Sequence, residues 1–221
     1  MRLYLASVLP DEIEWAHTMG WCDGIVATPG VLAATVPHAD PREILSEVAA
    51  VWSLPIFTSV GSLQADQIVR DGKALARLAE QVIVAVPFIE DAIPALPRLR
   101  ADGIRCAATF VHSVAQGVLA AKAGAAHVVV SVDALEAVGQ SGDAVIRDLR
   151  LALDRSLLEC DVVAGAPANA TRFGDLAAAG ADAAVLSPEG LRALQQHPLT
   201  DRGVDRFLVD VSRRAKPRRA R

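Results

Sequence analysis

The sequence predicts an α/β fold, a single closed (β/α)8 barrel with an extra carboxy-terminal helix. Three observations carry this expectation. Short runs rich in Val, Ile and Ala alternate with longer amphipathic segments, eight times along the chain. These runs are almost continuously apolar, as parallel strands covered on both faces require. No Gly-x-Gly-x-x-Gly follows the first run, which counts against an open doubly wound sheet.

Each unit is read from its residues. Leu3–Ala6 reads as the first strand and Pro10–Met19 as a short helix, with Glu12 and Glu14 early and His17 late. Gly24–Ala27 is the second strand, followed by a turn at Thr28-Pro29-Gly30. Pro41–Val51 is a helix, with Asp40 as N-cap and Pro41 in the first helical position. Pro55–Val60 is the third strand, and Ser62 is placed to cap a helix over Leu63–Gln81. Val82–Val86 is a buried strand ending at Pro87. Asp91–Ala101 reads as a helix bent or shortened by Pro94 and Pro97.

The second half continues in the same way. Ile104–Phe110 is a strand, and Ser113–Ala123 a helix stopped by Gly124. His127–Val132 is the sixth strand, and Ser141 caps a long helix reaching Leu158. Asp161–Gly165 is the seventh strand, with Asn169 capping a helix to Ala179. Ala183–Leu186 is the eighth, followed by a short helix from Pro188. A last amphipathic helix covers Asp201–Arg214, with Val204, Phe207, Leu208 and Val211 spaced as one apolar stripe. That stripe suits packing on its own barrel or on a neighbour. The boundaries are a barrel over 1–199, a helix over 200–214 and a basic tail over 215–221.

Composition narrows the functional classes. Hydrophobic residues make up 52% of the chain and aromatics 4%, so the core must be built from Ala, Val, Leu and Ile. The net charge of −4 comes without a charged block inside the barrel, which gives no reason to expect nucleic acid. Cys22, Cys106 and Cys160 have no metal-binding spacing and read as buried small hydrophobes in a reducing compartment. The amino terminus lacks a signal-peptide layout and no apolar run is long enough to span a membrane, so a cytoplasmic protein is expected. The basic tail reads as solvated, with anion binding as the alternative.

Several segments also carry a resemblance, over nearly the whole chain. They are Leu3-Tyr4-Leu5, Gly24-Ile25-Val26-Ala27-Thr28-Pro29, Val84-Ala85-Val86-Pro87, Ala101-Asp102-Gly103-Ile104, Ala115-Gln116-Gly117 and Ala123-Gly124-Ala125. In this order and spacing the sequence resembles the short transaldolases and fructose-6-phosphate aldolases, class I aldolase barrels of the TIM type. The resemblance implies a lysine on the fourth strand that forms a Schiff base; here that place is held by Ala85. It likewise implies an acid where Ala6 stands, an Asn at Thr28, a Gln at Ser59, a Tyr at Ser131, an Arg at Ala134 and a phosphate-binding Ser at Ala166. Thr109 is the polar residue of that set that looks retained. The resemblance also implies a homo-oligomer, a pentamer or a decamer, joined through the last helix.

A Schiff base needs an amine in a desolvated pocket. The three lysines, Lys73, Lys122 and Lys216, fall on helices or in the tail. The strand ends nevertheless keep polar groups where barrel enzymes place their sites. Ser7, Thr28, Ser59 and Ser131 are candidate substrate-binding residues, and Thr58 lies beside them. His112, Thr109 and Asp133 are the candidate catalytic set, because an imidazole is suited to proton transfer near neutral pH. Each has a plainer role as a cap, a rim residue or a space-filler. No third metal ligand joins His112 and Asp133, so neither a metal nor a cofactor is expected.

The expected function is therefore an aldolase-like barrel that binds a small metabolite without covalent chemistry, a pseudoenzyme or a structural homologue. The alternatives are an acid–base enzyme acting on a small carbonyl or hydroxy compound through His112, Thr109 and Asp133, and a true aldolase with a relocated lysine.

Overall fold

A computed structural model describes residues 1–165 and 169–214. Eight parallel strands close into a barrel in sequence order. They are β1 (Arg2–Leu5), β2 (Gly24–Val26), β3 (Ile56–Ser59), β4 (Val82–Pro87), β5 (Cys106–Val111), β6 (His127–Val130), β7 (Asp161–Ala164) and β8 (Ala183–Leu186). The ring closes where β8 pairs with β1, Leu186 opposite Leu5.

The helices around it are α1 (Pro10–Thr18), α2 (Pro29–Thr35), α3 (Pro41–Val51), α4 (Ala65–Leu78), α5 (Ala95–Ala101), α6 (Val114–Ala123), α7 (Val132–Ala137), α8 (Gly142–Arg155), α9 (Ala170–Ala178), α10 (Pro188–Gln195) and α11 (Pro198–Arg214). The expected caps Asp40, Ser141 and Asn169 are present, and Ser113 and Ser187 cap their helices as well. The side chains of Asp40, Ser113, Ser141, Asn169 and Ser187 accept from backbone N–H groups two or three residues on. Gly124 ends α6 in the left-handed conformation, φ 105°, which a side chain would resist.

Four readings of the sequence need correction. The turn at Thr28-Pro29-Gly30 is instead the start of α2, because Pro29 pre-sets the first helical φ and the following Val-Leu-Ala-Ala continues the helix. The sixth strand stops at Val130, and Val132–Ala137 forms the short α7. Ser62 does not cap α4, which starts three residues later; its hydroxyl accepts from the Gln64 N–H in a turn. Asp91 does not begin α5, because Pro94 occupies its N-cap and the preceding residues form turns.

Two apolar layers hold the barrel. Leu5, Ile25, Ile56, Val84, Ala108, Val128, Val162 and Leu186 face outward onto the helices. Tyr4, Val26, Phe57, Ile83, Ala107, Val163 and Ala183 fill the interior, with Ala6, Val129 and Val185 packed on them. Tyr4 and Phe57 meet with ring centroids 4.6 Å apart and occupy most of the centre. Gly24 leaves room for Tyr4: a Cβ there would lie 2.8 Å from the ring. The three cysteines are buried and unpaired. No described helix is long and apolar enough to cross a membrane.

The apolar stripe of α11 does not pack on its own barrel. Val204, Phe207, Leu208 and Val211 are all exposed, Phe207 by 65%.

Candidate functional site at the carboxy-terminal end of the barrel

Strand alternation settles which strand-end residues share the interior. Successive side chains along a strand point to opposite faces. Ser59, Ala85, Thr109 and Ser131 each lie two residues beyond an interior side chain, namely Phe57, Ile83, Ala107 and Val129. They therefore line one arc of the mouth, on the adjacent strands β3 to β6. Register supports this: Ser59 is opposite Ala85, and Ala85 is opposite Ala107. Thr28 has the same parity beyond Val26 and stands at the N-cap of α2 without bonding through its side chain. The hydroxyls of Thr28, Ser59, Thr109 and Ser131 make no hydrogen bond among the described residues, which leaves them free for a ligand. Ala85 is buried on β4.

The remaining candidates lie elsewhere. Ser7 is fully buried in the loop after β1, where its hydroxyl donates to Glu12 and accepts from the Leu9 N–H. Thr58 faces outward and donates to the Ala27 carbonyl at 3.0 Å. Asp133 and Ala134 are exposed on α7. His112 is half-buried at the end of β5, its backbone N–H held by the Gln116 side chain at 2.8 Å. No hydrogen bond or ion pair joins its imidazole to Asp133 among the described residues. Ala166 lies outside the described residues, as do the basic tail and Lys216. Among the described residues no cluster of His, Cys, Asp and Glu is arranged to hold a metal ion.

Three features at or near the mouth escaped sequence reasoning. The first is a break in β5. Phe110 has φ 58°, and the pairing with β6 shifts between Ala108 and Val111. Both Ala108 and Val111 face the helices, so one extra residue is inserted between them. Phe110 is left 63% exposed at the mouth.

The second is a cavity of about 400 Å³ beside β3. Leu32, Val36, Leu45 and Leu75 form its apolar walls, and the end of β3 at Thr58 and Ser59 borders it together with Arg42 and Asp71.

The third is Arg172 in the first turn of α9. It binds Glu136 of α7, Asp143 of α8 at 3.2 Å and Asp175 at 3.1 Å. Glu136, and then its other carboxylate partners, raise the Arg172 pKa; the Ser141 hydroxyl, ahead of Arg172 itself, lowers that of Asp143.

The opposite end of the barrel holds a polar plug, in which Arg2 is half-exposed and His127 Nδ1 has no hydrogen-bond partner among the described residues. Arg2 meets Asp161 at 2.7 Å, and His127 Nε2 meets the same carboxylate at 3.2 Å. The His127 ring stands edge-on to Phe57, centroids 5.1 Å apart. His127 first, and then Arg2, hold the Asp161 carboxyl down to about 2.

Comparison with known proteins fits this geometry. The family model described as transaldolase/fructose-6-phosphate aldolase matches residues 32–217. A protein named "Probable transaldolase" from Herpetosiphon aurantiacus is 32% identical over 210 residues, covering 95% of this chain and 94% of the relative. Another of that name from Bdellovibrio bacteriovorus is 31% identical over 216 residues, covering 98% and 100%. Among solved structures, a 3-hexulose-6-phosphate synthase superposes with a TM-score of 0.64 at 14% identity, covering 88% of this chain and 98% of that one. That likeness concerns the fold alone. The chain belongs to the transaldolase/fructose-6-phosphate aldolase family.

Proposed function

We propose that this member of the transaldolase/fructose-6-phosphate aldolase family binds a small metabolite at the mouth of its barrel without forming a Schiff base, as a pseudoenzyme or structural homologue. The observation that carries this reading is the placement of the lysines. Among the described residues none stands on a strand. Lys73 lies on α4 and is tied to Asp102 at 2.8 Å, beyond the end of α5 and so toward the far end of the barrel. Lys122 lies in the last turn of α6, also toward that end. Lys216 belongs to the tail. By family resemblance the amine belongs on β4, where Ala85 stands. Ala6, Thr28, Ser59, Ser131, Ala134 and Ala166 replace further members of the family's site, so a single relocated side chain would not restore the pocket.

A non-covalent acid–base enzyme using His112, Thr109 and Asp133 has less support, because its acid–base pair is not joined. The decisive experiment is reductive trapping. Incubation with dihydroxyacetone or fructose 6-phosphate, followed by borohydride, leaves the mass of the chain unchanged on this reading. A stable adduct on any lysine would restore covalent aldolase chemistry.

The exposed stripe on α11 supports a homo-oligomer, a pentamer or decamer by family resemblance, in which α11 packs on a second copy. Removing residues from 200 onward then reduces the mass of the assembly measured by light scattering. An unchanged mass would show that α11 joins nothing.

A further inference from the structure

The cavity beside β3 lies on the outer side of the barrel wall, among α2, α3 and α4, so what it takes is independent of the reading of the mouth. Its floor is the outward face of β3, where the Thr58 hydroxyl is already committed to the Ala27 carbonyl. Leu32, Val36, Leu45 and Leu75 wall it, and about 400 Å³ falls within the size range of small-molecule sites.

Two charges of opposite sign line this cavity, and neither is neutralised. Arg42 stands in the first turn of α3, placed there by Asp40, which caps the helix by accepting from the Arg42 backbone N–H at 2.8 Å. The Arg42 guanidinium forms no hydrogen bond or ion pair among the described residues. Asp71 is half-buried on α4. It accepts from Gln67 Nε2 at 2.8 Å and meets no cation among the described residues. Its helix is otherwise well paired: Asp66 meets Arg98 at 2.6 Å and Lys73 meets Asp102 at 2.8 Å.

A ligand that fills the cavity has to answer both charges. An apolar carboxylate would satisfy Arg42 and be repelled by Asp71, and an apolar amine would do the reverse. A zwitterion satisfies both through charge-assisted hydrogen bonds, and the walls reward an apolar side chain. We infer that this cavity binds a free α-amino acid with an apolar side chain. The carboxylate meets Arg42, the ammonium meets Asp71, and the side chain packs among Leu32, Val36, Leu45 and Leu75.

Saturation-transfer NMR on the full chain tests this with four probes: L-leucine, 4-methylpentanoate, 3-methylbutylamine and glycine. Leucine is expected to bind at least about tenfold tighter than the acid or the amine, each of which lacks one charge-assisted contact. Glycine, which lacks the apolar body, should also bind at least about tenfold more weakly. Arg42→Gln should weaken leucine about tenfold and should not weaken 3-methylbutylamine. Asp71→Asn should weaken leucine by a similar factor and should not weaken 4-methylpentanoate. Both substitutions keep the shape of a side chain at the solvent edge of a helix, and circular dichroism checks that the fold is retained. Ser131→Ala, at the mouth, should leave leucine binding unchanged.

No binding of leucine, equal binding of leucine and either single-charged analogue, or binding that survives both Arg42→Gln and Asp71→Asn would overturn the inference. A loss of leucine binding in Ser131→Ala would place the amino acid at the mouth and overturn it as well. The reading of the mouth as a site without a Schiff base stands or falls separately, on the reductive trapping described above.

Discussion

The two ends of this barrel solve opposite problems with similar materials. At the amino-terminal end, charged groups converge: the half-exposed Arg2 and the buried His127, whose Nδ1 has no hydrogen-bond partner among the described residues, both meet the partly buried Asp161, with Tyr4 and Phe57 packed above them. At the carboxy-terminal end, hydroxyls stand unpartnered and apolar side chains stand exposed. Buried charge needs a partner, because desolvation otherwise costs several kcal/mol. Half-buried hydroxyls in contact with water need none. The difference separates residues kept for stability from residues available to a ligand.

The strongest way to break that division is to remove Asp161. Asp161→Ala leaves the half-exposed Arg2 and the nearly buried His127 without their shared carboxylate, and should lower the unfolding free energy by about 1–2 kcal/mol. Ser131→Ala at the mouth should cost no more than about 0.5 kcal/mol. Urea unfolding of both variants measures the contrast, and equal losses would erase it.

The plug also predicts an acid limb. His127 first, and then Arg2, hold the folded Asp161 carboxyl down to about 2, against 3.8 for an unperturbed aspartate. Between those values the unfolded chain takes up a proton at this residue that the folded chain refuses. The stabilisation is complete above the unfolded value and is lost as pH falls toward 2. Asp161→Asn should flatten that part of the pH–stability curve.

The amount legible in the sequence differs between the two ends for the same physical reasons. The eight strands could be read because parallel strands buried on both faces leave a continuous apolar signature, and Val82–Val86 or Ala183–Leu186 suffers no ambiguity. The mouth hydroxyls could be placed because period-two alternation is local. The plug was not legible: Arg2, His127 and Asp161 lie far apart in the chain, and only closure of the ring brings β1, β6 and β7 together around one interior. The Arg172 network was hidden likewise, since its partners come from three helices. Nor does Phe110 announce its left-handed turn, because that conformation is enforced by the spacing of Ala108 and Val111 against the helices rather than by its own preference.

That strained phenylalanine has a counterpart at the other end, which gives the finest comparison. Leu157 has φ 53° and is the second non-glycine residue with positive φ among those described. It follows the end of α8 in a Schellman arrangement: the Leu158 N–H bonds to the Leu153 carbonyl at 3.0 Å, and the Leu157 N–H to Asp154 at 3.2 Å. Its side chain is 90% exposed and contributes little packing. Leu157→Asn should therefore relieve the backbone cost and raise stability by about 1 kcal/mol, because Asn tolerates this conformation. Phe110→Asn should give a similar gain, since its ring is also largely exposed. Urea unfolding of both variants measures the gain, and a loss of stability in Phe110→Asn alone would mean that the Phe110 ring packs at the mouth despite its exposure.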